Sequence, residues 1–129
     1  MNKILVEVSV GELLDKISIL EIKLDKIKDN EKLKFIKDEY NILKKEFDEN
    51  VNKDKKIEDL FETLKNINLK LWVIEDDKRI CEKNSDFGEN FIKLSRDVHF
   101  LNDERAKLKL EINNISGSKL KEIKEYAQY

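Results

Sequence analysis

Residues 8–23 read VSVGELLDKISILEIK and contain both the signal that begins a helix and the periodicity that continues it. Ser9 and Glu12 form the S-x-x-E pattern of a capping box, in which each side chain hydrogen-bonds the other's backbone amide. From Leu13 to Ile27, apolar residues recur at alternating spacings of four and three, which places them on one stripe of a helix. The stretch therefore predicts an amphipathic helix, preceded by a short extended arm at residues 4–8.

The same alternation of apolar residues continues along most of the chain. Asp29 and Asn30 provide a turn and a cap after the first helix, and Gly117 is suited to end a helix in the left-handed conformation. The predicted helices span residues 10–28, 31–49, 55–83, 87–115 and 119–126. Proline is absent and charged residues make up 42% of the chain, a composition typical of coiled-coil-like helices.

Short connections make consecutive helices antiparallel neighbours. We therefore predict an all-α fold in one domain, residues 1–129: an antiparallel helical bundle of two unequal helical hairpins, with the N-terminal arm and a short C-terminal helix. The second hairpin has helices of roughly 42 Å, against roughly 27 Å in the first. Part of its apolar seam would have no cover within the chain, and an exposed apolar patch typically marks a partner site. We predict a homodimer.

Composition also excludes several classes of function. Acidic and basic residues are interleaved around a net charge of −2, which argues against nucleic acid as a partner. No apolar run approaches the roughly 20 residues of a membrane span, and the opening MNKILVEV lacks a small-residue cleavage site. The single cysteine, Cys81, is typical of a reducing cytoplasm. One cysteine and one histidine are too few ligands for a zinc site, and no cofactor or catalytic residue is expected.

Two glycines occupy equivalent places near predicted helix starts. Gly11 follows Ser9 and Gly88 follows Asp86 at the same spacing, and a glutamate comes next in both cases. A bare first turn could admit an anion to free backbone amides, but the glutamates place negative charge where the anion would sit. We therefore expect Gly11 and Gly88 to be positions of close packing.

Arginine is rare in this chain. Only three of its 26 basic residues are arginine: Arg79, Arg96 and Arg105. All three fall on the predicted long hairpin. Arg105 interrupts the apolar stripe between Leu101 and Leu108, and a charge on a buried seam requires a carboxylate partner. That partner could come from the first helix, from Asp103 or from a second subunit. The alternative is that Arg105 binds a ligand.

Further polar residues could join Arg105 in one patch. The candidate ligand-binding residues are Arg79, Arg96, Asn102 and Arg105, and their candidate acidic partners are Glu75, Asp76 and Asp103. Glu75 and Arg79 are also an ordinary pair of opposite charges at i and i+4 on a helix. The patch therefore predicts either a structural ion-pair network or a site for a small anion.

Several blocks of the sequence resemble, in order, a bacterial family of unknown function. They are VSVGELLDKISILEIK, LWVIEDDKR, DFGENFIKLSRDVHFLNDERAKLKLEIN and GSKLKE, within a match over about residues 5–122. The resemblance implies a small helical protein associated with surface-polysaccharide loci, and it implies no activity and no catalytic residues. We expect a non-enzymatic dimeric helical interaction module that binds a protein partner in envelope polysaccharide assembly. The alternative is a small-anion-binding, all-helical dimeric enzyme or sensor that uses the arginines of the long hairpin.

Overall fold

Four helices make up the fold in a computed structural model that describes residues 3–118 and 122–128. They are α1 (Val10–Lys26), α2 (Asn30–Asn50), α3 (Lys55–Lys83) and α4 (Glu89–Ser116), each within two residues of its predicted bounds. They contain 77% of the described residues, which include no strand, so the predicted all-α bundle is confirmed. None of the described helices combines the length and the apolar character that crossing a bilayer requires.

Local capping explains where the helices begin and end. Side-chain oxygens of Ser9, Asp29 and Asp54 accept hydrogen bonds from amides in the first turns of α1, α2 and α3. These bonds satisfy donors that have no partner within the helix. Gly117 ends α4 in the left-handed conformation with φ of 71°, as the sequence predicts. The helix bounds therefore follow from residues adjacent to them in the chain.

The helices are arranged around α1. It packs against α2, α3 and α4, whereas the backbone of α2 approaches only α1. The four helices of the bundle therefore do not have equal numbers of neighbours. The reason lies in α1, where Leu14 and Ile22 are buried in addition to Leu13, Ile17 and Leu20 of the predicted stripe. A helix that is apolar on more than one side is stable only when it is surrounded.

The hydrophobic core lies where α1 meets the other helices. Its buried members are Leu13, Leu14, Ile17, Phe47, Ile57, Leu64 and Ile112. Leu64 and Ile112 expose no surface at all. Glu21 links α1 to its neighbours at the edge of this core, because it accepts hydrogen bonds from Tyr40 of α2 at 3.2 Å and from Lys65 of α3 at 2.9 Å. We call the region that contains these core residues and Glu21 the base of the molecule.

The α3–α4 hairpin buries few side chains outside the base. Of residues 69–108, all of which the structure describes, Cys81 alone is buried. The large apolar side chains exposed along this part are Leu69, Val73, Ile80, Phe87, Ile92 and Phe100. Uncovered apolar surface is therefore present on the long hairpin, as expected from the unequal lengths of the helices.

The described residues near the two chain ends, 3–9 and 122–128, lack regular secondary structure. Residues 3–9 precede α1 in this form, and the apolar side chains of Ile4, Leu5 and Val6 are exposed. The short helix expected at 119–126 is not seen in residues 122–126, and 119–121 lie outside the described residues. Instead, the Glu122 carboxylate lies 2.7 Å from Lys109 Nζ, which holds the segment against α4. Ile123 and Tyr126 stay exposed, so this segment buries neither of its large apolar side chains against the described residues.

Candidate functional site

A buried polar cluster joins α1, α3 and α4 at the level of Asp15. We define it as Asp15, Ser18, Asn68, Arg105 and Lys109. The Asp15 side chain is only 2% exposed. Arg105 grips it with two parallel hydrogen bonds, from Nε to Oδ1 at 2.9 Å and from Nη2 to Oδ2 at 2.5 Å. This bidentate geometry is the strong form of the arginine–carboxylate pair, and it supplies Arg105 with a partner from the first helix.

Neutral polar groups complete the surroundings of Asp15. Asn68 Nδ2 donates to Asp15 Oδ1 at 2.9 Å and to Ser18 Oγ at 2.8 Å. Ser18 Oγ in turn donates to the Asp15 carbonyl at 2.7 Å. Every buried side-chain nitrogen and oxygen in the described residues has a hydrogen-bond partner. The cluster is therefore internally satisfied, which is the condition under which a buried polar network stabilises a fold.

Lys109 extends the cluster to the chain end. Its Nζ lies 2.7 Å from a carboxylate oxygen of Glu12 and 2.7 Å from one of Glu122, and 4.0 Å from Asp15 Oδ2. The Lys109 side chain is only 8% exposed. Three acidic residues thus share one buried ammonium, and the charges of α1, α4 and the C-terminal segment are tied together.

The electrostatics keep these groups charged. Burial opposes ionisation of Asp15, but hydrogen bonds from Arg105 and Asn68, and the charges of Arg105 and Lys109, hold its pKa below the ordinary 3.8. Burial likewise opposes the charge on Lys109, yet its hydrogen bonds to Glu12 and Glu122 raise its pKa above the usual value. General acid–base catalysis at neutral pH is most efficient when the pKa of the catalytic group lies near 7. Both shifts point away from that value, so the cluster is suited to holding helices together.

Gly11 lies where the backbones of α1 and α4 touch. A Cβ at this position would lie 2.4 Å from the Lys109 carbonyl oxygen and 2.9 Å from Asn113 Oδ1. The Gly11 amide donates to Asn113 Oδ1 at 2.7 Å. Asn113 therefore occupies the amide that an anion would need, and the absence of a side chain allows the close approach.

Gly88 differs, because the described residues of this chain make no close contact with it. A Cβ on Gly88 would meet only Asp86 Oδ1, at an ordinary contact distance of 3.5 Å. Gly88 is the N-cap of α4 and lies at the tip of the hairpin, away from α1. The likeness between the two glycine motifs thus reflects helix starts and not a shared tertiary contact.

The predicted ligand-binding residues fall into two grooves. Arg79 and Arg105 line a groove of about 380 Å³ together with Glu75, Asp76 and Trp72. Asn102 is adjacent, with Oδ1 3.5 Å from Arg105 Nη1. An anion in this groove would meet two carboxylates beside the two guanidinium groups.

Arg96 lies elsewhere. It lines a groove of about 400 Å³ with Glu89, Lys93 and Phe100. Asp103 is half-buried on α4, and the carboxylate that receives the Arg105 fork is that of Asp15. The structure therefore does not bring the three arginines together.

The sequence reading missed Asp15, Asn68, Lys109 and Asn113 as a set. A signal for Asp15 was present, because it is an acidic residue between Leu14 and Ile17 on a helix with apolar residues on several sides. A charge in such a helix must be paired. No comparable signal marks Asn68 or Asn113, since isolated asparagines on a helix are usually exposed.

A second candidate site is the apolar surface along one side of the hairpin, which we call the hairpin face: Leu69, Val73, Ile92 and Phe100. Leu69, Val73 and Phe100 line a groove of about 760 Å³. Phe100 and Ile92 line the adjoining groove, so the surface is continuous. Charged residues of both signs border it, including an ion pair of Lys93 with Asp97 at 2.8 Å.

These features define an all-α bundle with a structural polar centre and an exposed hairpin face. The chain matches the Family of unknown function (DUF6165) over residues 4–128 and belongs to that family. No curated protein and no solved structure matches it significantly.

Proposed function

We propose that this protein is a non-enzymatic helical interaction module that works as a homodimer and binds a protein partner. The observation that carries the proposal is the hairpin face, where Leu69, Val73, Ile92 and Phe100 are exposed. Apolar surface gains roughly 25 cal/mol for each Å² removed from water. An exposed two-helix layer of this kind is therefore expected to be covered.

A second copy is the cover that the surface fits best. Two hairpins packed face to face form a four-helix bundle, which buries both apolar layers. In a two-fold interface, residue i meets j while j meets i. The acidic groups of Glu89 and Asp97 can then face Lys93 and Arg96 of the other copy, so the border of the hairpin face suits pairing with itself.

The buried polar cluster supports a non-enzymatic role. Its side chains hydrogen-bond one another. The lowered pKa of Asp15 and the raised pKa of Lys109 keep both groups charged at neutral pH. The alternative, a small-anion enzyme or sensor, receives less support. Arg105 is committed to Asp15, Arg79 shares its groove with Glu75 and Asp76, and Arg96 lies in another groove.

The cellular setting of the proposal comes from the sequence. The blocks that resemble a bacterial family of surface-polysaccharide loci support a role for the module in envelope polysaccharide assembly. The lone, buried Cys81 suits a reducing cytoplasm. The proposed protein partner would then be another component of that assembly on its cytoplasmic side.

Light scattering tests the homodimer. At tens of micromolar, the wild type should have twice the chain mass of 15.3 kDa. The double variant Val73→Glu/Phe100→Glu should be monomeric, because four carboxylates would meet at the two-fold interface. Phe35→Glu, at an exposed position on α2, is the matched control and should remain dimeric.

Circular dichroism separates loss of pairing from loss of folding. The double variant should keep the helix signal of the wild type, since both positions are exposed in the single chain. A wild-type mass of one chain would contradict the homodimer. A folded double variant that stays dimeric would show that the hairpin face is not the interface.

A further inference from the structure

The N-terminal arm, residues 3–8, exposes large apolar side chains, and the hairpin face does not account for them. Ile4, Leu5 and Val6 are 85%, 81% and 75% exposed, although they belong to the most apolar run near this end of the chain. The segment has no helix or strand within its own chain. Branched residues such as Ile and Val favour strands, so the arm has the composition of a strand without a sheet.

The arm also has the charge pattern of a segment that pairs with itself. Lys3 and Glu7 lie symmetrically on either side of Leu5. If two arms run antiparallel about Leu5, Lys3 faces Glu7 of the other copy at both ends, and Ile4 faces Val6. Opposite charges and apolar groups placed directly across a strand pair stabilise it.

Other alignments of two arms lose this match. A parallel pair in register sets Lys3 against Lys3 and Glu7 against Glu7. An antiparallel shift by one residue sets Ile4 against Glu7, and a shift by two sets Leu5 against Glu7. Only the alignment about Leu5 pairs Lys3 with Glu7 at both ends while Ile4 faces Val6 and Leu5 faces Leu5.

We propose that the arms of two copies form a two-stranded antiparallel ribbon centred on Leu5. This proposal rests on the homodimer of the proposed function and adds a second contact to it. The backbone groups of each arm find partners in the other, as in other cases of strand addition. One side of the ribbon carries Lys3, Leu5 and Glu7, and the other carries Ile4, Val6 and Val8, because side chains alternate along a strand.

The apolar side of the ribbon has neighbours at the base. Glu122 binds Lys109, whose carbonyl touches Gly11 in the first turn of α1, so the C-terminal segment lies beside the start of α1. That segment exposes Ile123 and Tyr126. These side chains are available to cover Ile4 and Val6, which matters because an isolated two-stranded ribbon is marginally stable.

Disulfide cross-linking tests the alignment in the full chain with Cys81→Ala. Leu5→Cys should form a covalent dimer on mild oxidation, because the two Leu5 positions face each other. Ile4→Cys and Val6→Cys should each cross-link poorly alone, since like positions would be separated by more than the roughly 7 Å that a disulfide spans. A mixture of those two variants should cross-link efficiently.

Charge reversal tests the role of Lys3 and Glu7. Glu7→Lys in the Leu5→Cys chain sets lysine against lysine at both ends and should slow cross-linking by about fivefold. Adding Lys3→Glu should restore the original rate. Equal cross-linking of Leu5→Cys and Ile4→Cys would overturn the proposal, because it would show random encounters of the arms.

Light scattering and cross-linking together distinguish failure of the ribbon proposal from failure of the homodimer proposal. A wild-type dimer by light scattering, without preferential cross-linking at Leu5, overturns the ribbon and leaves the homodimer standing. A wild-type mass of one chain overturns both proposals.

Discussion

Asp15 stays ionised inside the bundle because Arg105 and Asn68 donate hydrogen bonds to it and Lys109 lies nearby. Removing one member of a buried ion pair leaves the other member without compensation. The pair is therefore a test of how much the cluster contributes to stability. It also decides whether Arg105 is structural or free to bind ligands.

Arg105→Leu should lower the free energy of unfolding by about 3 kcal/mol, because it leaves the Asp15 carboxylate without its main donor. Adding Asp15→Asn should recover part of that loss, since the amide that replaces the carboxylate has no charge that needs a buried partner. Urea unfolding of the two single variants and the double variant measures this coupling. A neutral Arg105→Leu variant would contradict the structural role of the pair.

The pKa of Asp15 gives a prediction for pH. Its folded pKa lies below the ordinary 3.8, because Arg105 and Asn68 outweigh the effect of burial. The unfolded chain therefore takes up the proton first as pH falls, and the stability that Asp15 contributes is complete near neutrality. It should be lost progressively below about pH 4. Urea unfolding between pH 2.5 and 6 should show a shallower decline for Asp15→Asn than for the wild type.

Gly11 and Gly88 offer a matched pair of substitutions. Gly11→Ser should destabilise the protein by about 1–3 kcal/mol, because the new Cβ would overlap the Lys109 carbonyl. Gly88→Ser should be neutral or stabilising by a few tenths of a kcal/mol, since serine is a good N-cap and the site has room. Thermal melts compare the two variants. Equal melting temperatures would contradict the close contact between α1 and α4.

At the scale of the elements, α1 and α2 differ in how many helices surround them. The backbone of α1 approaches three other helices, whereas that of α2 approaches only α1, and α2 buries only Ile36 and Phe47. Regions with few buried contacts open at a lower free energy than the core. α2 is therefore the element that should separate first from the rest of the bundle.

Hydrogen exchange followed by mass spectrometry tests this order. Backbone amides of α2 should exchange faster than those of α1, while α1 and the base halves of α3 and α4 should exchange together. The variant Tyr40→Phe, which removes the hydrogen bond to Glu21, should speed exchange in α2 and leave α4 unchanged. Equal protection of α1 and α2 would contradict a central α1.

At the scale of the whole molecule, the proposed homodimer predicts a melting temperature that depends on protein concentration. Mass action stabilises an assembled state when the chain is more concentrated. The wild-type melting temperature should therefore rise between 1 and 100 µM. The monomeric variant Val73→Glu/Phe100→Glu should melt at one temperature throughout, and a constant wild-type value would contradict association.

The positions of the helices could be predicted because their determinants are local. Ser9, Asp29 and Gly117 act within one helical turn of their own positions, and apolar stripes report on residues three or four apart. Chain length and periodicity also indicated that the long hairpin would extend beyond its cover. The position of Arg105 on an apolar stripe indicated a buried ion pair, but it did not indicate which carboxylate would be the partner.

Only the tertiary structure decided which residues meet across the chain. Asp15 and Arg105 are 90 positions apart, and Gly11 lies beside a carbonyl 98 positions away. Such contacts depend on which face each long helix turns toward its neighbours, and α1 has apolar residues on several faces. Local sequence fixes where a helix begins and ends. The choice among its faces is made by the total surface buried when all four helices pack together.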